Sequence, residues 1–177
     1  LGAVIYADNI RDSLGLDTMS TGISLSFAME CYERGILTKK DTGGLEFTFG
    51  NDDLLFRLLH DIAYRRGFGA VIAEGVRKMA AQFGQGSERF AMHAKGMELG
   101  GYDPRGVKGM ALVYACGARG GCHHAGGRTI GEEAKDGDYR FSTDGKGLLV
   151  KRSRDTRVAG DSAVVCNFSQ IKLDALS

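Results

Sequence analysis

Proline is almost missing from this chain: 177 residues contain one, Pro104, beside 27 glycines. With so few helix breakers of the proline kind, glycine must do most of the punctuation, and it gathers between residues 96 and 147. Cysteine is scarce and scattered. The four residues at 31, 116, 122 and 166 form no C-x-x-C pair, which excludes a disulfide scaffold and zinc-finger spacing and suits a reducing, cytoplasmic setting. No apolar run approaches the roughly 20 residues that span a bilayer, so no membrane association is expected. An excess of one charge is lacking too. Lys and Arg total 23 against 22 Asp and Glu, leaving no basic surplus to attract nucleic acid. The opening Leu1-Gly-Ala-Val-Ile-Tyr6 has no basic n-region, no cleavage site and no initiator Met. It is expected to be a cut within a longer polypeptide.

What is present suits a mainly α protein. Hydrophobic residues make up 43% and charged residues 25%, ordinary for a globular domain. Ile23, Phe27 and Cys31 recur four apart, one face of a helix ending near Gly35. Asn51-Asp52-Asp53 offers an N-cap and acidic first turn to a helix with the stripe Leu54, Leu55, Leu58, Leu59 and Ile62. A third helix is predicted through Val71, Ile72, Val76, Met79 and Phe83, stopping at Gly84-Gln85-Gly86. Beyond Lys95 come a turn cluster, a short helix from Val107 to Cys116, and a glycine-rich loop over residues 119–128. Residues 131–147 read as a polar surface excursion. A last helix is expected from Lys151 through Val158, resuming as Val164 to Ile171. A boundary near residue 100 divides a helical first domain, 1–100, from a partial second one, 101–177.

Two short segments echo each other. Asp12-Ser-Leu-Gly-Leu-Asp17 sets a glycine among carboxylates, which can accept hydrogen bonds from an N–H-rich heterocycle such as a pterin. Its bland reading is an Asx turn with a helix cap at Asp17, Thr18 or Ser20. Asp161-Ser-Ala-Val-Val-Cys166 repeats the five-residue span and ends in a thiol, a soft ligand for iron–sulfur iron or simply a small core residue. His123 and His124 follow Arg119 and Cys122 in the glycine-rich loop, where imidazole could carry a proton or merely face water. Lys95-Gly-Met-Glu98 and Tyr102-Asp103-Pro104-Arg105-Gly106 read as a charged tie between domains, with Arg105 and Glu98 as a candidate pair. His60 and His93 read as structural.

Together, and in this order, these segments resemble the aldehyde ferredoxin oxidoreductase family, the tungsten- or molybdenum-bispterin enzymes. Leu14-Gly-Leu-Asp-Thr-Met-Ser-Thr-Gly22, Phe27-Ala-Met-Glu30, Lys95-Gly-Met-Glu98, Tyr102-Asp-Pro-Arg-Gly106, Arg119-Gly-Gly-Cys-His123 and the Asp161 to Phe168 stretch carry the likeness. The resemblance implies a mainly α fold, the helical C-terminal domains of a larger enzyme. It implies that Asp12, Leu16 and Asp17 belong to the first pterin-contacting motif and Asp161 and Val165 to the second. Cys166 matches the last of four cysteines on a [4Fe–4S] cluster, and His123 the active-site histidine near the metal. An upstream N-terminal domain would supply the other cluster cysteines, so this chain alone is expected to hold neither metal nor cluster. The implied reaction oxidises a small aldehyde to a carboxylic acid, with ferredoxin taking the electrons. Ring-reducing enzymes acting on aromatic acyl-CoA, hydroxycarboxylate enzymes, and a non-catalytic helical interaction domain are the alternatives. An apolar face left by the missing domain would favour a homodimer. Two departures stand out: Val164-Val165 replaces the usual Gly-Leu, and His123 is doubled by His124. No Glu lies three residues before any histidine, so the Glu-x-x-His interface metal of some members is not expected.

Overall fold

A computed structural model describes residues 1–124, 127–135, 137–166 and 169. The chain is mainly α and divides into two compact units, residues 1–98 and residues from Leu99 onward. Among the described residues, no helix is long and apolar enough to cross a membrane.

The first unit holds α1 (Gly2–Leu14), α2 (Thr18–Glu33), α3 (Asp52–Ala63), α4 (Gly69–Ile72), α5 (Val76–Phe83) and a hairpin, β1 (His93–Ala94) with β2 (Met97–Glu98). Asp17 caps α2 by accepting the Ser20 N–H at 2.7 Å, and Asn51 caps α3 by accepting the Leu54 N–H at 3.1 Å. The predicted α3 stripe is the core: Leu54, Leu58, Leu59 and Ile62 are all buried. Phe27, Phe47, Phe68 and Phe83 pack around it, with Phe47 and Phe68 edge-on at 5.1 Å. Cys31 is fully buried among them, and burial pushes its thiol pKa up to about 11.

Two expectations are corrected here, and one helix lies outside them. Residues 2–14 form a helix that hydrophobic spacing does not announce, because Val4, Ile5 and Tyr6 lie on its exposed side. The predicted third helix is two, broken where Gly75 takes φ 81. The break is filled by the Glu98 carboxylate, which accepts the Val76 N–H at 2.8 Å and lies 2.7 Å from where a Gly75 Cβ would sit. Lys95-Gly96 is the tip of the hairpin, with φ 56 and 89, and His93 pairs with Glu98 across it. Glu98 is therefore buried in its own unit, and the acid that binds Arg105 is Asp103, at 2.6 Å.

The second unit holds α6 (Lys108–Cys116), α7 (Ile130–Glu133) and α8 (Lys146–Ser162). The last helix thus starts earlier than expected and runs unbroken to Ser162 before turning. Residues 167, 168, 170 and 171 of the predicted continuation lie outside the described residues. The polar stretch 131–147 is no simple surface excursion. Within it Glu133 is completely buried, and so is its partner Lys146, 2.6 Å away. Glu133 also accepts the Gly109 N–H at 2.8 Å and the Thr129 hydroxyl at 2.7 Å. Lys146 donates to the Tyr139 carbonyl at 2.8 Å and lies 3.4 Å from the centre of the Tyr139 ring. Each donor of the ammonium and each oxygen of the carboxylate thereby has a partner.

Candidate functional site

The two echoing segments have the same local geometry. Asp12 lies in the last turn of α1, and Gly15, at φ 68, reverses the chain. The Gly15 N–H donates to the Asp12 carbonyl at 3.2 Å, and the Leu16 N–H to the Arg11 carbonyl at 3.0 Å. Asp161 lies in the last turn of α8, and the left-handed residue three positions on is Val164, at φ 58. The Val164 N–H donates to the Asp161 carbonyl at 3.1 Å, and the Val165 N–H to the Gly160 carbonyl at 3.0 Å. Both are helix ends closed by a left-handed residue, and both leave an aspartate exposed one turn back.

The departure from Gly to Val therefore keeps the turn and adds strain. A β-branched residue in the left-handed region costs about 1–2 kcal/mol relative to its relaxed backbone. Val164 is 91% exposed, so packing offers little in return. Val164→Gly should raise the stability of the second unit by roughly 1 kcal/mol after the added chain entropy of glycine. The urea midpoint of the two proteins measures this, and an unchanged or lower midpoint in the variant would show that the turn is not strained.

The structure places the remaining residues as follows. Asp12, Leu16 and Asp17 lie in the first unit, with Leu16 half-buried against its core and Asp17 engaged as the α2 cap. Beside them Arg11 is buried, pairs with Asp8 at 3.1 Å, and has a buried Nε with no partner among the described residues. In the second unit, Arg157 reaches Asp161 at 3.0 Å, Val165 is half-buried and Cys166 is exposed. Phe168, which completes the second motif in sequence, lies outside the described residues.

His123 and His124 occupy a turn beyond Gly120, which takes φ 98, and both rings are half-buried. The two imidazoles lie 4.0 Å apart, and the Tyr102 ring stands edge-on to His123 at 5.5 Å. Burial lowers the His124 pKa, helped by Arg157, Arg128 and Arg119 and opposed by Asp161. His124 is thus neutral at pH 7 and can give or take a hydrogen bond. Tyr114, on α6, is 97% buried by the complement of its 3% exposure, and its hydroxyl lacks a partner among the described residues. Desolvation, with Tyr102 and Cys122 nearby, raises its pKa to about 12.

Sequence reasoning missed Tyr114, which in the pattern of α6 is one more core aromatic. It also missed Arg157, although the four-residue spacing to Asp161 is a readable signal. Among the described residues, no group of three or more His, Cys, Asp or Glu is placed to hold a metal ion.

Residues 1–176 match the family model described as aldehyde ferredoxin oxidoreductase, domains 2 and 3. The chain belongs to the aldehyde ferredoxin oxidoreductase family. It is 39% identical over 182 residues to the tungsten-containing aldehyde ferredoxin oxidoreductase of Pyrococcus abyssi, covering 99% of this chain and 30% of that protein. The enzyme of the same name from Thermococcus kodakarensis is 37% identical over 180 residues, covering 99% and 29%. The aliphatic sulfonate oxidoreductase, WOR-like subunit, of Pyrococcus furiosus is 34% identical over 171 residues, covering 93% and 24%. The chain therefore spans under a third of the length of these aldehyde ferredoxin oxidoreductase relatives.

Proposed function

We propose that this chain is the C-terminal part of a cytoplasmic tungsten- or molybdenum-pterin, iron–sulfur oxidoreductase that oxidises aldehydes to carboxylic acids and delivers the electrons to ferredoxin. The observation that carries the proposal is the matched pair of turns at Asp12 and Asp161, set in a chain whose relatives are named as tungsten-containing aldehyde ferredoxin oxidoreductases.

The residues fit such a cofactor chemically. Asp12 and Asp161 are exposed carboxylates, acceptor-only groups suited to pterin amino and ring N–H donors. Asp17 commits one oxygen to the Ser20 N–H, and its other oxygen remains an acceptor. Leu16 and Val165 follow the left-handed residues, where the backbone turns back and a flat ligand can approach. Cys166 lies beyond the end of α8 as an exposed residue, and as a cluster ligand it would need three others from the rest of the polypeptide. When bound, the metal–pterin centre and its cluster supply the two-electron oxidation and the route for single electrons to leave.

In this reading His123 holds or releases the proton at an imidazole nitrogen as the aldehyde is converted. Its ring is kept in place by Tyr102 on one side and His124 on the other. Arg157 orients the Asp161 carboxylate through their ion pair. One relative is named for aliphatic sulfonates, so a second reading is an enzyme of this family whose substrate carries an acidic group.

The full-length protein with Cys166→Ala should lose most of its cluster iron and the associated visible absorption, while far-UV circular dichroism stays intact. Undiminished iron would remove Cys166 from the ligand set and favour a non-catalytic helical domain. Assays with small aldehydes against aromatic acyl thioesters then separate aldehyde oxidation from ring reduction.

A further inference from the structure

The two helix-end turns match in backbone and differ in charge. At the first, Asp12 is exposed, while Arg11 beside it in sequence is only 9% exposed and pairs with Asp8 at 3.1 Å. The same Asp8 oxygen accepts the Thr18 hydroxyl at 3.4 Å, so that pair ties α1 to α2 across the turn. What the first turn shows a ligand is therefore carboxylate oxygen, an acceptor only.

At the second turn a guanidinium sits on the site aspartate itself. Arg157 and Asp161 are four residues apart on α8 and share a face. The Arg157 Nε lies 3.0 Å from one Asp161 oxygen and 3.1 Å from the other, and its N–H donates to the carboxylate. Only this edge of the guanidinium is used. The Nη groups, which carry its other N–H donors, have no acceptor among the described residues. Neither is a buried atom lacking a partner, so both reach the surface although the side chain is 18% exposed. The stem is thus packed on the second unit, and the fork stands open next to Asp161, which is 48% exposed.

This pair presents an acceptor and a donor side by side, and its complement is a donor beside an acceptor. The pyrimidinone edge of a pterin has an amino N–H, a ring N–H and a carbonyl oxygen in a row. A carboxylate alone takes the two donors; a carboxylate flanked by a guanidinium takes all three groups.

We propose that Arg157 is a further cofactor-binding residue, donating through its Nη groups to the carbonyl oxygen of the pterin whose N–H groups Asp161 accepts. The second turn then reads the oxo form of the ring, whereas Asp12 at the first reads its donors alone. The pterin setting rests on the function proposed above; the donor–acceptor edge of Arg157 and Asp161 does not.

The test has two arms. In the first, the 177-residue chain is titrated with 6-hydroxymethylpterin and with its 4-amino counterpart, in which an amino group replaces the carbonyl oxygen. Binding is followed by NMR at the Val165 amide, which belongs to the second turn. The oxo ring should bind about tenfold more tightly than the amino ring. Arg157→Met should erase that preference, and Arg152→Met, at an exposed position on the same helix, should keep it. No saturable shift at Val165, or equal affinity of the wild-type chain for the two rings, overturns the proposal. So does an equal loss for both rings in Arg157→Met, since Arg157 would then only hold Asp161 in place.

In the second arm the full-length holoenzyme and its variants are oxidised and denatured, and the released pterin is counted per polypeptide by fluorescence. Arg157→Met should lose about half of its pterin or more with far-UV circular dichroism unchanged. Arg157→Lys, which keeps the charge without the fork, should recover part of the loss. Full pterin content in Arg157→Met overturns the proposal. A wild-type enzyme that carries no pterin ends the function proposed above, and the ring preference in the first arm still decides what Arg157 and Asp161 read.

Discussion

Glu133→Ala lowers the stability of the second unit by about 3–5 kcal/mol, the ordinary consequence of removing one partner from a buried ion pair. The large value follows from how completely the pair is enclosed. Both side chains are at most 5% exposed, so the Lys146 ammonium would lose its counter-ion without gaining water. The Gly109 N–H at the start of α6 and the Thr129 hydroxyl would lose their acceptor in the same step. Gly109 is part of the arrangement, because a Cβ there would lie 2.5 Å from a Glu133 oxygen. Urea unfolding followed by circular dichroism measures the loss. Replacing both partners with apolar residues of similar volume, Glu133→Met with Lys146→Met, should recover much of it. A single substitution costing under about 1 kcal/mol would show that the carboxylate is reached by solvent and the pair worth no more than a surface one.

Gly127→Ala is expected to cost about 2–4 kcal/mol and to detach the histidine loop from α8. Two penalties combine at this position. The residue is at φ 77, and a Cβ would sit 2.7 Å from the backbone carbonyl of Ser153, which a helix cannot move aside. Detachment has its own signature at His124. Burial and the Arg157 charge hold its pKa below the usual histidine value, so release from α8 should raise it toward that value. Proton NMR of the ring across pH 4 to 8, an ordinary titration window for histidine, reads this directly. A destabilised variant with an unmoved His124 titration would mean that the loop keeps its place and the strain is absorbed in α8.

Much of the first unit is legible from residues alone. The α3 stripe, its Asn51 cap and the α2 face through Phe27 and Cys31 are periodic and capped, and both helices form where the pattern puts them. The pattern fails at α1 because spacing detects a helix only through the face it buries, and Ala7 and Arg11 are the only residues this helix buries. It fails at Gly75 because the carboxylate that fills the break comes from Glu98, which no local window contains.

The second unit is harder to read for a different reason. Its key pair is charged, and Glu133 and Lys146 within a run of acids and bases look like a solvated surface until the fold closes over them. At the candidate site, the echo of Asp12 and Asp161 is visible as a repeated spacing. That Val164 can imitate Gly15 is not, since residue type argues against a left-handed valine and only the backbone shows it.

The burial of Cys31 turns the first unit into its own clock. Of the four thiols, those of Cys116, Cys122 and Cys166 are at least partly open to solvent, whereas Cys31 is sealed and held protonated by a pKa of about 11. Alkylating reagents attack the thiolate, so at neutral pH Cys31 reacts only during the intervals when α2 comes away from the core. Its modification rate, divided by that of an open thiol, is the fraction of time the first unit spends ajar. Native chemistry has thereby placed a reporter of opening where no label need be introduced, on the helix that begins at one of the proposed pterin aspartates.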